Sequence, residues 1–366
     1  MIKWTCEFHI TVDEKSCFPM KFDKSSRIFF SVLFTVTFSV SNVFAEANFL
    51  KKLFRKKVEV VLVNTEPVET KVDSEKVFVR NYLAISPEIP DEVTFCGQTI
   101  DLRETNMRER FDREMLSMMY MHSSTLLLLK RANRYFPVIE PILKAHNIPD
   151  DMKYLACIES NLDNKAISSS GAIGMWQFMP ETARQYGLEV NDDVDERYHV
   201  EKETEAACSY LRSAYEKFGD WPSAAASYNI GTARIMKELA KQGENSSLDL
   251  WLVEQTSRYV FRILACKEFM SDPKKYGFYI KKEQLYMPNA CKDSMVTGKV
   301  ANWVDFAKGA GISYYDLKNY NTWIRSDSLS NPEAKAYKVA IPLKESLYFD
   351  KKKITVHQKE WVIDEN

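Results

Sequence analysis

Glu159 closes a run of apolar and small residues, Tyr154-Leu155-Ala156-Cys157-Ile158, in a stretch opened by Pro149, a favoured first helical residue. By the three-and-four spacing it shares a helical face with Met152, Leu155 and Ala156, and it falls near the helix C-terminus, where the macrodipole is negative. Both surroundings disfavour the carboxylate, so the expected pKa shift is upward. A carboxyl that keeps its proton near neutral pH can protonate a leaving oxygen, which is what glycosidic cleavage asks of a general acid. A glutamate at a helix end is more commonly an ordinary half-exposed residue, so the assignment leans on its downstream neighbours.

After Asn161 the helical period stops, and Ser168, Ser169, Ser170, Gly171 and Gly174 make a small-residue loop. Such a loop lets backbone approach a ligand and delivers Met175, Trp176 and Gln177 beside the acid. Pro180 suits the start of the next helix and Gly187 its exit. Thr204 to Phe218 reads as an amphipathic helix closed by Gly219. Trp221-Pro222 opens a small-residue helix through Ala224-Ala225-Ala226, which ends at Tyr228-Asn229-Ile230-Gly231. Trp251 to Met270 is the last long helix and carries Tyr259.

Three blocks in this order, Glu159-Ser160, Gly171 to Gln177 (Gly-x-x-Gly-Met-x-Gln) and Ala226-Ser227-Tyr228-Asn229, resemble the lytic transglycosylases of the soluble-lytic, goose-lysozyme-like superfamily, nearest to the membrane-bound D type. A fourth block, the Tyr-Val pair, is met by Tyr259-Val260. It departs from the usual Glu-Thr-Arg-x-Tyr-Val, reading Gln255-Thr256-Ser257-Arg258 before the tyrosine, which alters the local charge network. The resemblance implies a mainly α fold: a lysozyme-like helical catalytic domain with a small α+β C-terminal module. It also implies non-hydrolytic cleavage of the bond between N-acetylmuramic acid and N-acetylglucosamine, with a 1,6-anhydro product. Glu159 would be acid and then base. Ser160 and Gln177 would hydrogen-bond the sugar, Met175 would offer an apolar wall, and Tyr228 would hydrogen-bond Glu159. Asn229 would hold the loop or the sugar, and Tyr259 would approach the charge developing on the ring. Two other readings stand beside it: a goose-type hydrolase in which an acid from Asp192 to Glu196 positions water, and a non-catalytic glycan-binding protein of the envelope.

The rest of the chain sets the frame. With 366 residues and a formal net charge of -1 it can bury a sizeable core, and it offers no electrostatic case for nucleic acid. Ile28 to Ala45 is uncharged, comes after Lys21, Lys24 and Arg27, and ends at Val43-Phe44-Ala45, the pattern of a secretory signal peptide and hence of a periplasmic or envelope protein. Left uncleaved, the same segment would associate with a membrane. A signal peptide begins its basic region at the initiator, so Met20 is the expected start, residues 1–45 are extension plus signal, and 46–100 a linker. That linker carries a basic patch at Lys51 to Lys57 and one short strand at Val58 to Val63. The catalytic domain is expected over 101–283, beginning with a helical stretch, Asp101 to Lys144, that Pro137 and Pro141 bend or restart. Over 284–366 a strand, a helix at Trp303 to Ala310, a helix at Tyr315 to Tyr320 and a strand at Ala336 to Ile341 resemble a degenerate lysin-motif module, whose family binds N-acetylglucosamine chains. Peptidoglycan strands are therefore the expected partner. No CxxC or HExxH pattern occurs, so neither metal nor cofactor is expected, and Cys96 with Cys291 is a candidate bridge for an oxidising compartment.

Overall fold

The computed structural model describes residues 85–363, all within one compact unit, Tyr82–Asn366. The expected signal segment, the Met20 start, the basic patch and the 58–63 strand lie outside the described residues. No described helix is long and apolar enough to cross a membrane.

The described chain opens with a hairpin, β1 (Glu92–Phe95) and β2 (Gln98–Asp101), antiparallel with Phe95 opposite Gln98. Cys96 and Gly97 make the turn at φ 50° and 81°, the positive values that a two-residue hairpin demands. Val93, Phe95 and Ile100 are buried in the helical core, and Lys267 Nζ donates to the Thr94 carbonyl at 2.7 Å. The segment read as linker up to residue 100 is therefore, over 92–100, a docked element. Strands of four residues carry too little alternation to announce themselves.

Helices α1 (Thr105–Tyr120) and α2 (His122–Ala145) come next. Pro137 and Pro141 lie inside α2, which continues through both. Phe136, Ile139 and Leu143, all fully buried, supply packing that outweighs the missing N–H groups. A 3-10 turn, Asp150–Met152, leads into α3 (Lys153–Ser160), capped by Asn161 in the left-handed region at φ 56°. Then come α4 (Pro180–Gln185), α5 (Val200–Phe218), α6 (Trp221–Ile230), α7 (Thr232–Gln242) and α8 (Glu254–Ser271). Helix α7, where Ile235 is the one buried side chain, has no counterpart among the elements expected from the sequence. Helix α8 packs along α1, α3 and α6, so the element bearing Tyr259 crosses the element bearing Glu159.

The module has its own core. Strand β3 (Cys291–Val296) pairs antiparallel with β4 (Tyr337–Pro342), and α9 (Trp303–Gly309) and α10 (Tyr314–Tyr320) lie between them in the chain. Trp303, Leu317, Val339 and Ile341 are buried there. Val194 and Tyr198 join that core, and Asp195 donates its N–H to the Trp323 carbonyl at 2.9 Å. The stretch at 192–198 therefore joins the helical domain to the module. Past β4 the chain turns back: Trp361, fully buried, donates Nε1–H to the Met270 carbonyl at 2.8 Å and packs edge-on against Phe136 at 5.7 Å. The span expected as module thus ends in the helical core. Cys96 and Cys291 are free thiols, as are the other three described cysteines.

Candidate active site

Glu159 sits on the last turn of α3, partly open to solvent. Its Oε1 accepts a hydrogen bond from the Tyr259 hydroxyl, delivered by α8. Burial pushes the carboxyl pKa up; the Tyr259 hydrogen bond and the Arg262 charge pull the other way without cancelling the rise. Tyr259 itself is buried, and burial with the Glu159 charge beside it holds its own pKa well above the usual phenol value. It therefore stays protonated and donates.

The other expected site residues have hydrogen-bond partners within the protein, and for Tyr228 the partner is not the one expected. Tyr228 donates its hydroxyl to the Trp176 carbonyl at 2.9 Å rather than to Glu159. Loop carbonyls have no helical partner and, once buried, take a side-chain donor. Ser160, 9% exposed, donates Oγ–H to the Met175 carbonyl at 2.8 Å, so it braces the loop instead of facing a sugar. Met175 is fully buried and belongs to the core rather than to a cleft wall. Gln177, at φ 53°, donates Nε2–H to the Gly174 carbonyl at 2.8 Å and to the Ala166 carbonyl at 3.3 Å. Asn229 Oδ1 accepts from Thr256 Oγ1 at 3.2 Å, tying the end of α6 to the first turn of α8. Glu159 and Tyr259 are directly joined, and Ser160, Met175, Gln177, Tyr228 and Asn229 form the frame around them.

Gly174 shows why the loop needs glycine. It holds φ 87°, and a Cβ there would lie 1.8 Å from the Arg197 carbonyl oxygen and 2.5 Å from Glu203 Oε2. Backbone cannot yield by that much locally, so Gly174→Ala is expected to cost about 3 kcal/mol or more. Chemical unfolding should show a lower denaturant midpoint, and a wild-type midpoint would contradict the placement of this loop.

Three contributors are not among the residues expected from the sequence. Arg197, buried and paired with Asp195 at 2.7 Å, donates to the Gly171 and Phe178 carbonyls at 3.3 Å each. Glu203 accepts from the loop backbone on the same side. Arg258, which stands where the family pattern is broken, donates to both carboxyl oxygens of buried Glu114 on α1, at 2.7 and 3.0 Å. Nothing in the local spacing singles out Arg197 or Glu203. The one available signal is their position beside the start of the amphipathic helix.

Residues 137–250 match the family model of the transglycosylase SLT domain, and residues 292–345 that of the soluble lytic transglycosylase C-terminal LysM-like domain. The chain is 29% identical over 258 residues to the membrane-bound lytic murein transglycosylase D of Escherichia coli K12, covering 67% of this chain and 54% of that protein. It thus spans about half the length of the curated relatives it matches. Among solved structures, the 70 kDa soluble lytic transglycosylase of Escherichia coli is 22% identical, with a TM-score of 0.35 over 46% of this chain and 30% of that one. The lytic transglycosylase Slt of Pseudomonas aeruginosa is also 22% identical, with a TM-score of 0.31 over 36% and 23%.

Proposed function

We propose that this chain is a peptidoglycan lytic transglycosylase of the cell envelope. The observation that carries the reading is a single carboxyl, Glu159, half-buried, with its pKa raised by burial and its Oε1 held by Tyr259. It lies inside the matched SLT domain, and the Escherichia coli relative is by its name a membrane-bound murein transglycosylase.

The protonated Glu159 gives its proton to the glycosidic oxygen as the bond from that oxygen to the muramic acid anomeric carbon breaks. The resulting carboxylate then takes the proton of the same sugar's 6-hydroxyl, whose oxygen closes on the anomeric carbon. Glu159 ends protonated as it began, and no water is consumed. The nucleophile is part of the substrate, so effective molarity replaces an activated water. Tyr259 stabilises the carboxylate that exists between the two steps, and its oxygen dipole lies beside the positive charge that develops on the ring.

A hydrolase with two carboxyl groups finds less support. Asp193 accepts from Ser330 at 2.8 Å, Asp195 is paired with Arg197, and Glu196 is paired with Lys202, while Asp192 is exposed at the edge of the module. The LysM-like module at 292–345 holds the same glycan strand, and the uncharged segment at 28–45 takes the protein to the envelope, anchoring it to the membrane where it is retained. Mass analysis of the soluble products from purified peptidoglycan tests the reaction. Anhydro ends, one water lighter than hydrolytic ends, are expected, and exclusively hydrolytic ends would overturn the reading.

The rate should also depend on pH. The acid works while protonated, so activity is present below the folded-state pKa of Glu159 and lost as pH rises through it. The alkaline limb of the rate profile should lie above the 4.5 of an ordinary glutamate. A limb at or below that value would contradict the role given to burial.

A further inference from the structure

Glu203 is a charge-capable group that the reaction does not use. It lies on the first turn of α5, fully buried, and no salt bridge reaches it among the described residues. Its Oε2 accepts the Trp176 N–H at 3.1 Å, and Oε1 is buried with no hydrogen-bond partner. A carboxyl that leaves one oxygen unsatisfied in the core costs free energy, so its geometry calls for a reason.

The peptide pair Met175-Trp176 supplies one. Three of its four backbone polar groups are held by side chains. The Trp176 N–H goes to Glu203 at 3.1 Å, the Met175 carbonyl to Ser160 Oγ at 2.8 Å and the Trp176 carbonyl to the Tyr228 hydroxyl at 2.9 Å. The next residue along α5, Thr204, accepts the Trp176 indole N–H at 2.9 Å. The clamp joins α5, α6 and the residue adjacent to the acid on α3, and the bare α-carbon of Gly174 is what lets the loop come down onto it.

We propose that Glu203 is a positioning residue for Glu159: by holding the Met175-Trp176 peptides it fixes Ser160, and with it the last turn of α3, so that the acid meets Tyr259 and the sugar in one geometry. The inference rests on the activity proposed for Glu159. Burial, with the negative charges of Asp195 and Glu201 adding, holds the Glu203 pKa well above the usual carboxylate range. In this clamp the group acts as an acceptor, and glutamine, whose carbonyl oxygen also accepts, is its isostere.

The test compares the full chain with Glu203→Gln, Glu203→Ala and Glu203→Asp on soluble glycan strands from purified peptidoglycan, with circular dichroism as the check on folding. The Gln variant should keep kcat within about threefold. The Ala variant should lose kcat by about 10²-fold with a smaller change in KM, since the acid is misplaced and not the substrate. Combined with Tyr228→Phe, the two losses should be less than additive, because both residues hold the same peptide pair. Amide exchange at Trp176, whose N–H Glu203 holds, should quicken in the Ala variant. If that variant does not fold, the Asp variant, shorter by one methylene, should show the same kcat loss. Wild-type kcat in a folded Ala or Asp variant, additive losses, or a Gln variant as impaired as Ala would each overturn the inference. A wild-type protein that releases nothing sinks the proposed activity instead, so the two failures are told apart.

Discussion

Glu159→Gln is expected to leave a folded protein that releases soluble fragments from purified peptidoglycan about 10³-fold more slowly or not at all. Glutamine fills the same volume and its carbonyl oxygen can still accept the Tyr259 hydrogen bond, yet it has no proton to give. The stability should move the other way. An unfolded glutamate ionises at its ordinary value, while burial in the fold resists ionisation. Stability linked to this group is therefore complete below the unfolded pKa and declines as pH rises through the folded one. A neutral amide escapes that decline, so at neutral pH the variant should unfold at the wild-type temperature or above it. Loss of activity with no loss of stability marks an acid kept for its chemistry. Retained release would remove Glu159 from the reaction.

Arg258→Ala should lower the unfolding temperature by about 5–10 °C. Glu114 is 2% exposed, and of its partners Arg258 offers the two-pronged contact at 2.7 and 3.0 Å while Arg113 reaches it at 3.2 Å. Removing the fork leaves a buried carboxylate with one poorer partner, a loss of about 3 kcal/mol. Arg258→Lys should recover little of this, because an ammonium cannot serve both oxygens at once. The pair clamps α1 to α8 beside Tyr259, so activity should fall with stability in this variant, unlike in Glu159→Gln. Thermal unfolding checks it, and an unchanged transition would mean that Arg113 alone satisfies the carboxylate.

What could be read from the sequence was what local spacing determines. The helix ending at Glu159, the glycine loop, the starts at Pro180 and Trp221 and the strand-helix-helix-strand order of the module each rest on residues close together in the chain. Partner choice was not legible. Tyr228 and Tyr259 are both tyrosines near an acid, and which of them bonds Glu159 depends on how α6 and α8 cross α3. The resemblance implies that Ser160 and Gln177 hydrogen-bond a sugar and that Met175 offers an apolar wall, whereas in the structure Ser160 and Met175 are buried and the Gln177 amide goes to the Gly174 carbonyl. The composition of the acidic run at 192–196 does not announce that Asp195 and Glu196 are buried, the first paired with Arg197 and bonded to the Trp323 carbonyl of the module, the second paired with Lys202. The return of Trp361 to Met270 spans 91 residues of sequence, a distance over which no pattern announces a contact.

The reaction turns on whether Glu159 holds its proton. Side-chain carboxyl NMR of protein labelled at glutamate, with the Glu159 resonance identified by its absence from Glu159→Gln, follows that proton directly. The predicted midpoint lies above the 4.5 of an unperturbed glutamate, and it should drop no lower when Tyr259→Phe removes the one hydroxyl that favours the charged form. A midpoint at or below 4.5 in the folded protein would mean an ordinary exposed carboxylate and would contradict the assignment of Glu159 as the acid.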